Sequence, residues 1–420
     1  MYQKQFTWIL FGVLIACSIE AQSILKLEEA QARAAANYPL IRQKALAQQQ
    51  AQLNVSNLQK NLLPQISLGA QATYQSEVTQ LPIKLPNITV DPLSKDQYRA
   101  LLDVNQLIYD GGVIRQQQSL QRMGEKIASQ QVAIELQKLR ERINQIYLGA
   151  LLLEYQLGQT AIVEKDLQAG LSRIKAQVSN GTAVKAAQAS IEAELIRNQQ
   201  RAIEISFSKQ GLLDVLAVWM GDTTSVQYQL QKPAEQIAAA EISRPELAYF
   251  MLQDSVYQLQ NKLVDQKAAP KLSAFAQGGY GRPGLNMLKN EFAFFYTTGL
   301  RLQWSISSLY TNKHEKELTR ISSRMNEVQK DQFMLQTNAA LRQQLAEINK
   351  YKQLLSTDQQ LIGLRVKVKE TAAAQLENGL ITPADYVREV QAEDQARQNA
   401  LIHEMQLLQA IIQYNTISGK

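Results

Sequence analysis

Pro64-Gln65-Ile66-Ser67-Leu68-Gly69-Ala70-Gln71-Ala72-Thr73-Tyr74 returns 206 residues later as Pro270-Lys271-Leu272-Ser273-Ala274-Phe275-Ala276-Gln277-Gly278-Gly279-Tyr280. Pro64, Ser67, Ala70, Gln71 and Tyr74 meet their own kind at Pro270, Ser273, Ala276, Gln277 and Tyr280. In the first copy the apolar and aromatic positions fall on one face, with Ser67, Gly69, Gln71 and Thr73 on the other. That period of two predicts a strand. The proline at each head predicts the end of a preceding helix, because the residue before proline is pushed out of the α region.

Outward from this stretch the same offset pairs Pro39 with Pro245 and Leu53 with Leu259. An offset of 198 pairs Gln177 with Gln375, Asn180 with Asn378, Gly181 with Gly379 and Ala186 with Ala384. The eight-residue change falls on a longer first connection, Gln75 to Gln97. Matching punctuation in matching order marks two copies of one unit, residues 22–242 and 243–420. Each is predicted to run helix, strand, loop, strand, long helix, turn, helix. The opening helices are expected at Leu27–Leu62 and Pro245–Ala268, the second begun by Ser243-Arg244-Pro245-Glu246 with capping-box spacing. The hairpins are expected at 64–109 and 270–308, with the later strands at Tyr98–Tyr109 and Leu300–Ile306, Arg301 on the polar face of the last.

Strands of about ten residues are what a tilted membrane crossing needs. One apolar and one polar face suits a wall between lipid and a wet lumen. Two amphipathic hairpins covering a soluble core would alternate in the same way. An open four-stranded sheet would leave backbone groups unpaired in hydrocarbon, so the membrane reading requires closure by self-association.

Between the hairpins and the turns the chain is built for length. Leu136, Leu139, Ile143, Ile146, Ala150, Leu153 and Leu157 step by threes and fours, a coiled-coil seam. The second copy carries Leu341, Leu345, Ile348, Leu355, Ile362 and Val366, on a helix expected from Lys313 to Leu376. From Gly111 to Gly181 a helix would span about 105 Å. Asn180-Gly181 and Asn378-Gly379 stop these helices, since Asn-Gly supplies the positive φ that reverses the chain. Thr382-Pro383-Ala384-Asp385 restarts one, with Thr as cap and Pro in the first turn. Return helices are expected at Val184–Leu213 and Pro383–Tyr414, and an irregular equatorial stretch at 214–242.

Composition narrows the function classes. The 420 residues carry 45% hydrophobic, 7% aromatic and 20% charged side chains, a profile of long solvated helices. The net charge of +6 forms no block or stripe, so no nucleic-acid partner is expected. One cysteine excludes an internal disulfide. His314 and His403 are read as ordinary surface residues, without ligand spacing. Nucleophile–base sets and phosphate loops are missing from the sequence, so neither catalysis nor a cofactor is expected.

Lys4 precedes an apolar run from Phe6 to Ala16, the length of a signal-peptide core and too short to cross a bilayer. Two processing sites compete. Ile19-Glu20-Ala21 before Gln22 fits ordinary cleavage, giving a signal peptide of residues 1–21. Leu14-Ile15-Ala16-Cys17 fits a lipobox, which would place a lipid on Cys17.

Several of these stretches carry a family resemblance. They are Leu25-Lys26-Leu27-Glu28-Glu29-Ala30 with Asn37-Tyr38-Pro39, the Leu63-Pro64 strand entry, and Gln106-Leu107-Ile108-Tyr109-Asp110-Gly111-Gly112. Arg244-Pro245-Glu246-Leu247 and the two Asn-Gly turns complete the set. In this order the chain resembles the TolC-like outer-membrane efflux proteins (outer-membrane factors) over its whole mature length. The resemblance implies a mixed, mainly α fold: a homotrimer whose four strands per protomer complete a 12-stranded transmembrane β-barrel in outer-membrane lipid, continued as a long periplasmic α-helical barrel. It implies the outer-membrane channel of a tripartite efflux or type I secretion system, a passive exit duct. The helix tips, Asn180-Gly181-Thr182 and Asn378-Gly379-Leu380-Ile381-Thr382, would meet a periplasmic adaptor (membrane fusion) protein, and the adaptor an inner-membrane pump of RND or ABC type. In some members acidic residues six and nine positions past the tip glycine narrow the periplasmic entrance. Here Asp385 and Arg388 hold those places, and Ala187 and Ser190 in the first copy. Asp385 therefore reads equally as a helix cap, and Asp385 with Arg388 as a candidate gate. The competing reading is a periplasmic adaptor or coiled-coil scaffold without a pore. An adaptor would carry one tip and small soluble β domains, and a scaffold leaves the export signal unexplained. The exported substrate and the pump class are not legible in the sequence.

Overall fold

The computed structural model describes residues 23–79, 92–222, 228–238 and 241–420. The signal segment, Cys17 and the centre of the first hairpin connection lie outside the described residues. The elements follow in the order β1 (Ser23–Leu25), α1 (Leu27–Asn37), α2 (Ile41–Lys60), β2 (Gln65–Tyr74), β3 (Asp96–Tyr109), α3 (Val113–Ser179) and α4 (Lys185–Met220). Then come β4 (Tyr228–Leu230), α5 (Pro245–Lys267), β5 (Lys271–Arg282), β6 (Ala293–Gln303), α6 (Ser308–Glu377) and α7 (Pro383–Ser418). The duplicated order of helix, hairpin, long helix and return helix is present. At 67 and 70 residues, α3 and α6 are each about 100 Å long.

Five boundaries differ from the sequence expectation. The opening helix is two helices, α1 and α2, broken at Tyr38-Pro39 where proline disfavours helix in the residue before it. The return helix α4 continues seven residues past Leu213 to Met220, so the irregular stretch is shorter. It ends at Gly221, whose φ of +82° closes the last turn. Helix α6 begins at Ser308, before Lys313, and α7 runs on to Ser418. The fourth strand lies at 293–303 and leaves out Trp304–Ile306. Arg244 precedes α5 in extended conformation, and the Ser243–Glu246 capping box is not formed. Ser243 Oγ instead donates to the Gly419 carbonyl at 3.3 Å, and Glu246 pairs with the Arg244 guanidinium.

The chain divides into two compact units. One comprises the described residues within Met1–Asn37, Arg140–Gln236 and Glu347–Ile412. In it β1 and β4 pair in parallel, Ser23 to Tyr228 through Leu25 to Leu230. Tyr147, fully buried, faces the carbonyls of Leu25 and Gln231 through its hydroxyl, 2.7 Å from each, which ties α3 to both strands. The Arg33 guanidinium bonds Asp222 and Asp222 accepts the Tyr228 hydroxyl, fixing α1 to the segment after α4. The expected coiled-coil seam is formed in part. Leu139, at the end of the other unit, and Ile143 and Ala150 are buried, and Tyr147 joins them. Leu345, expected on the seam of α6, is 38% exposed.

The other unit comprises Tyr38–Leu139, Ile237–Ala346 and Gln413–Lys420. It holds one antiparallel four-stranded sheet in the order β2-β3-β5-β6. Polar side chains reaching backbone carbonyls fasten helices together: Gln116 to Leu259, Gln130 to Pro245 and Asn326 to Phe250, at 2.7–2.9 Å. The turn from β3 into α3 is made by Asp110, whose carboxylate accepts the backbone N–H groups of Gly112 and Ile114 at 2.8 and 2.6 Å. That satisfies two of the free donors at the helix start. Gly111 is required twice, for its φ of +76° and because a Cβ there would lie 2.6 Å from the Gln266 carbonyl oxygen.

Candidate functional site: a two-faced sheet and the helix tips

Pairing registers sort the sheet into two faces. Odd-numbered positions line up as Ser67, Asp103, Gln277 and Thr297 across the four strands. Gln277 Nε2 donates to Asp103 Oδ1 at 2.6 Å in that row. Arg99, Ser273 and Arg301 share this face. Even-numbered positions carry Ile66, Leu68, Tyr74, Leu102, Phe294, Tyr296, Leu300 and Leu302. The apolar face is uncovered: Leu68 is 80%, Tyr296 80% and Phe294 86% exposed, and the polar positions of β2 are exposed as well. A sheet in water turns its apolar face to the core, and this one leaves that face bare. Tyr98, Tyr280, Phe292 and Phe294 cluster at one end, with centroids 4.6–6.3 Å apart. The Arg282 guanidinium lies 5.3 Å from the Phe292 ring. At the other end Trp304 donates Nε1 to the Ala268 carbonyl at 2.9 Å.

On the odd face two glycines make room for rings. A Cβ on Gly279 would stand 2.6 Å from Phe295, and one on Gly299 3.0 Å from Phe275. Phe295 and Phe275 therefore lie across the neighbouring strand, covering the bare backbone.

In the first-named unit the two turns close alike. Gly181 and Gly379 hold φ of +73° and +68°. Thr182 N–H reaches the Gln177 carbonyl at 2.9 Å, and Leu380 N–H reaches Gln375 at 2.8 Å. These are the six-to-one bonds of a Schellman stop, made by duplicated glutamines. Gln177 Nε2 also donates to the Leu376 carbonyl at 2.8 Å, so one tip is bonded to the other. Leu380 is 73% exposed, whereas Ile381 packs partly into the core beneath.

Asp385 and Thr382 form a reciprocal cap. Thr382 Oγ1 donates to Asp385 Oδ2 at 2.6 Å, and Asp385 N–H donates back to Thr382 Oγ1 at 3.2 Å. Arg388 Nη2 stands 3.1 Å from Asp385 Oδ1. The Thr382 hydroxyl, then its N–H, then Arg388 hold the Asp385 carboxyl below its ordinary range. With Ile381, Val368 and Thr371, these two residues border an open groove of about 510 Å³ between α6 and α7.

No protein-family model and no curated protein matches the sequence. Solved structures do. CusC, whose crystal structures concern folding and transmembrane channel formation, is 13% identical, with a TM-score of 0.70 over 94% of this chain and 92% of that one. The outer-membrane channel CmeC of Campylobacter jejuni is 14% identical, with a TM-score of 0.66 over 94% and 85%. The outer-membrane channel MtrE of Neisseria gonorrhoeae is 13% identical, with a TM-score of 0.64 over 94% and 89%. The fold is that of the TolC-family outer-membrane channels.

Within this TolC-like fold the tips are held by polar clamps that the sequence did not announce. Lys369 Nζ lies 2.7 Å from Asp166 Oδ2 and 2.7 Å from Glu393 Oε2, joining α6 to α3 and α7. Burial pushes the Glu393 carboxyl up, but bonds from Lys369 and Arg397 bring it below the usual glutamate value. Tyr386, raised by burial, donates its hydroxyl to the Asp166 carbonyl at 3.1 Å. Its ring fills the space over Gly170, where a Cβ would stand 2.6 Å from Cε1. His403, expected on the surface, is a packing residue: Nδ1 is 2.7 Å from Asp358 Oδ2, and the ring lies 6.1 Å from that of Tyr351. Apart from Arg397 and Glu393, one turn apart, the partners of these clamps sit 24 to 220 positions apart, which is why no local motif revealed them. His314 is exposed, as expected.

Proposed function

We propose that the protein is an outer-membrane channel, a trimeric passive exit duct for efflux or secretion. One observation carries this reading: the apolar face of the sheet is exposed, and among the described residues the strands β2 and β6 at its edges have no further strand to pair with. In hydrocarbon such edges are excluded, so three copies join β6 to β2 and close twelve strands. The strand directions suit this, because β6 meets the next β2 antiparallel, and twelve is an even count. Leu318, Ile321, Met325, Val328 and Leu335 give α6 an exposed apolar stripe at coiled-coil spacing, 44–71% uncovered, for contact with the neighbouring copy.

In this reading the polar face lines the lumen, and α3 and α6 carry the duct about 100 Å into the periplasm. The tips at Asn180-Gly181-Thr182 and Asn378–Thr382 dock a periplasmic adaptor, with exposed Leu380 the apolar contact. The adaptor links the duct to an inner-membrane pump of RND or ABC type. Asp385 serves first as the cap of α7, and its ion pair with Arg388 stiffens the start of that helix beside the entrance. As a gate the pair acts by holding the entrance helix in one position, and single-channel conductance should rise in Arg388→Ala. The whole reading is tested by fractionation, native mass and bilayer recording. A trimer in the outer-membrane fraction that forms pores is expected, and a soluble monomer would overturn it.

A further inference from the structure

We infer that the barrel lumen is selective for anions, through a basic collar made by Lys271 and Arg301. This rests on the channel reading above, which makes the odd-numbered face of the sheet the lumen. Among the described strand residues that face carries four charges: Arg99, Lys271 and Arg301 against the single carboxylate of Asp103. The other face carries Asp96 and Arg282, which form an ion pair with each other.

The registers place these charges along the pore. Lys271 pairs with Gln303 and Ser273 with Arg301, so Lys271 and Arg301 stand two residues apart, about 7 Å along the strands. Asp103 pairs with Gln277, four residues beyond the Arg301 row, and Arg99 pairs with Gly281, four residues beyond again. Each of those steps is about 13 Å. The screening length near physiological salt is about 8–10 Å. The collar residues therefore reinforce each other, while Asp103 is too distant to cancel either basic row. Arg301 is also held in place, with its guanidinium 4.9 Å from the Phe275 ring, which itself covers Gly299. Three copies would place six cations in a band about 7 Å deep, at the end of the strands joined to the helices. Charge rings of this kind set the sign of ion preference in a wet pore.

The test is the reversal potential of the purified channel in a planar bilayer under a tenfold KCl gradient at low salt. The expected result is preference for Cl− over K+, lowered by about twofold or more in K271Q/R301Q as unscreened charge is removed. D103N should raise it. At about 1 M KCl, where screening falls to about 3 Å, the preference should fade in all three. Wild-type pores that prefer K+ or neither ion overturn the inference, as does a pore-forming double variant that keeps the full Cl− preference. Should the double variant not assemble, the wild-type salt series and D103N decide. Absence of any pore from the wild-type protein overturns the channel reading instead.

Discussion

Replacing Lys369 by methionine should loosen the helix tips and leave the sheet untouched. From α6 the ammonium reaches both α3 and α7, through Asp166 and Glu393. Methionine keeps the bulk of the stem while removing the charge. Glu393 is only 4% exposed, and breaking a buried pair from one side typically costs about 3–5 kcal/mol. Two features lower that figure. Arg397 Nη2 remains 2.7 Å from Glu393, and Asp166 is 30% exposed and can rehydrate. A loss of about 2–3 kcal/mol follows for local opening, or about 30- to 150-fold faster amide exchange in the tip segments. Hydrogen exchange read by mass spectrometry on peptides covering 163–179 and 369–393 measures it, with strand peptides as the internal control. The pH dependence has a definite sign. Glu393 has its folded value lowered, so its contribution is present above about 4.5 and is lost as pH falls through the folded value. Burial pushes Lys369 down, but Asp166 and Glu393 raise it beyond that, so its contribution is lost only above 10.5. In the variant the acid limb should move to higher pH. Exchange within about threefold of wild type would refute the clamp, as would equal acceleration in the strands.

Three further outcomes are expected. Gly170→Ala gains about 1 kcal/mol of helix propensity but drives a methyl into Tyr386, at about 1–3 kcal/mol, so thermal melting followed by helical dichroism should show net loss, whereas the same change made in a Tyr386→Ala background should raise the melting temperature relative to Tyr386→Ala alone. Gly279→Ala should block assembly of the barrel, because its methyl would meet Phe295 and Leu101. A second change, Phe295→Ala, removes the tightest of these contacts and should restore part of the trimer band on a semi-native gel. Thr382→Val removes the hydroxyl that Asp385 uses, so amide exchange should quicken at Ala384 to Tyr386 and conductance noise should grow. In the wild type the Asp385 contribution should be lost below about 3.8, since its folded value is lowered.

Local chemistry was legible and long-range chemistry was not. The two proline-led strands, both Asn-Gly stops and the cap at Thr382 depend on residues within one or two turns, and each formed where the sequence put it. The fourth strand was misplaced because Phe294, Phe295 and Tyr296 are aromatic at both parities, which hides a period of two until Leu300. Return helix α4 outran its expected end because Asp214 and Val215 continue a helix without a breaker before Gly221. The sheet order was also beyond local reading: β3 pairs with β5 across the two copies, 184 positions apart at Tyr98 and Arg282. Lys369, Asp166 and Glu393 lie on three separate helices, and no motif links them in sequence. Only their convergence makes them a clamp.

That central pairing of β3 with β5 has an evolutionary consequence. Every hairpin in the proposed ring abuts another hairpin on each side, whether the seam lies within a chain or between chains. Six equivalent hairpins would build the same wall with sixfold symmetry from a half-length ancestor. Fusing two halves lowers the symmetry to threefold and releases alternate positions to diverge. The tips record that release: Ala187 and Ser190 stand on one, Asp385 and Arg388 on its sister. A docking partner that meets this rim finds two kinds of site alternating around it, and can bind them with two different surfaces.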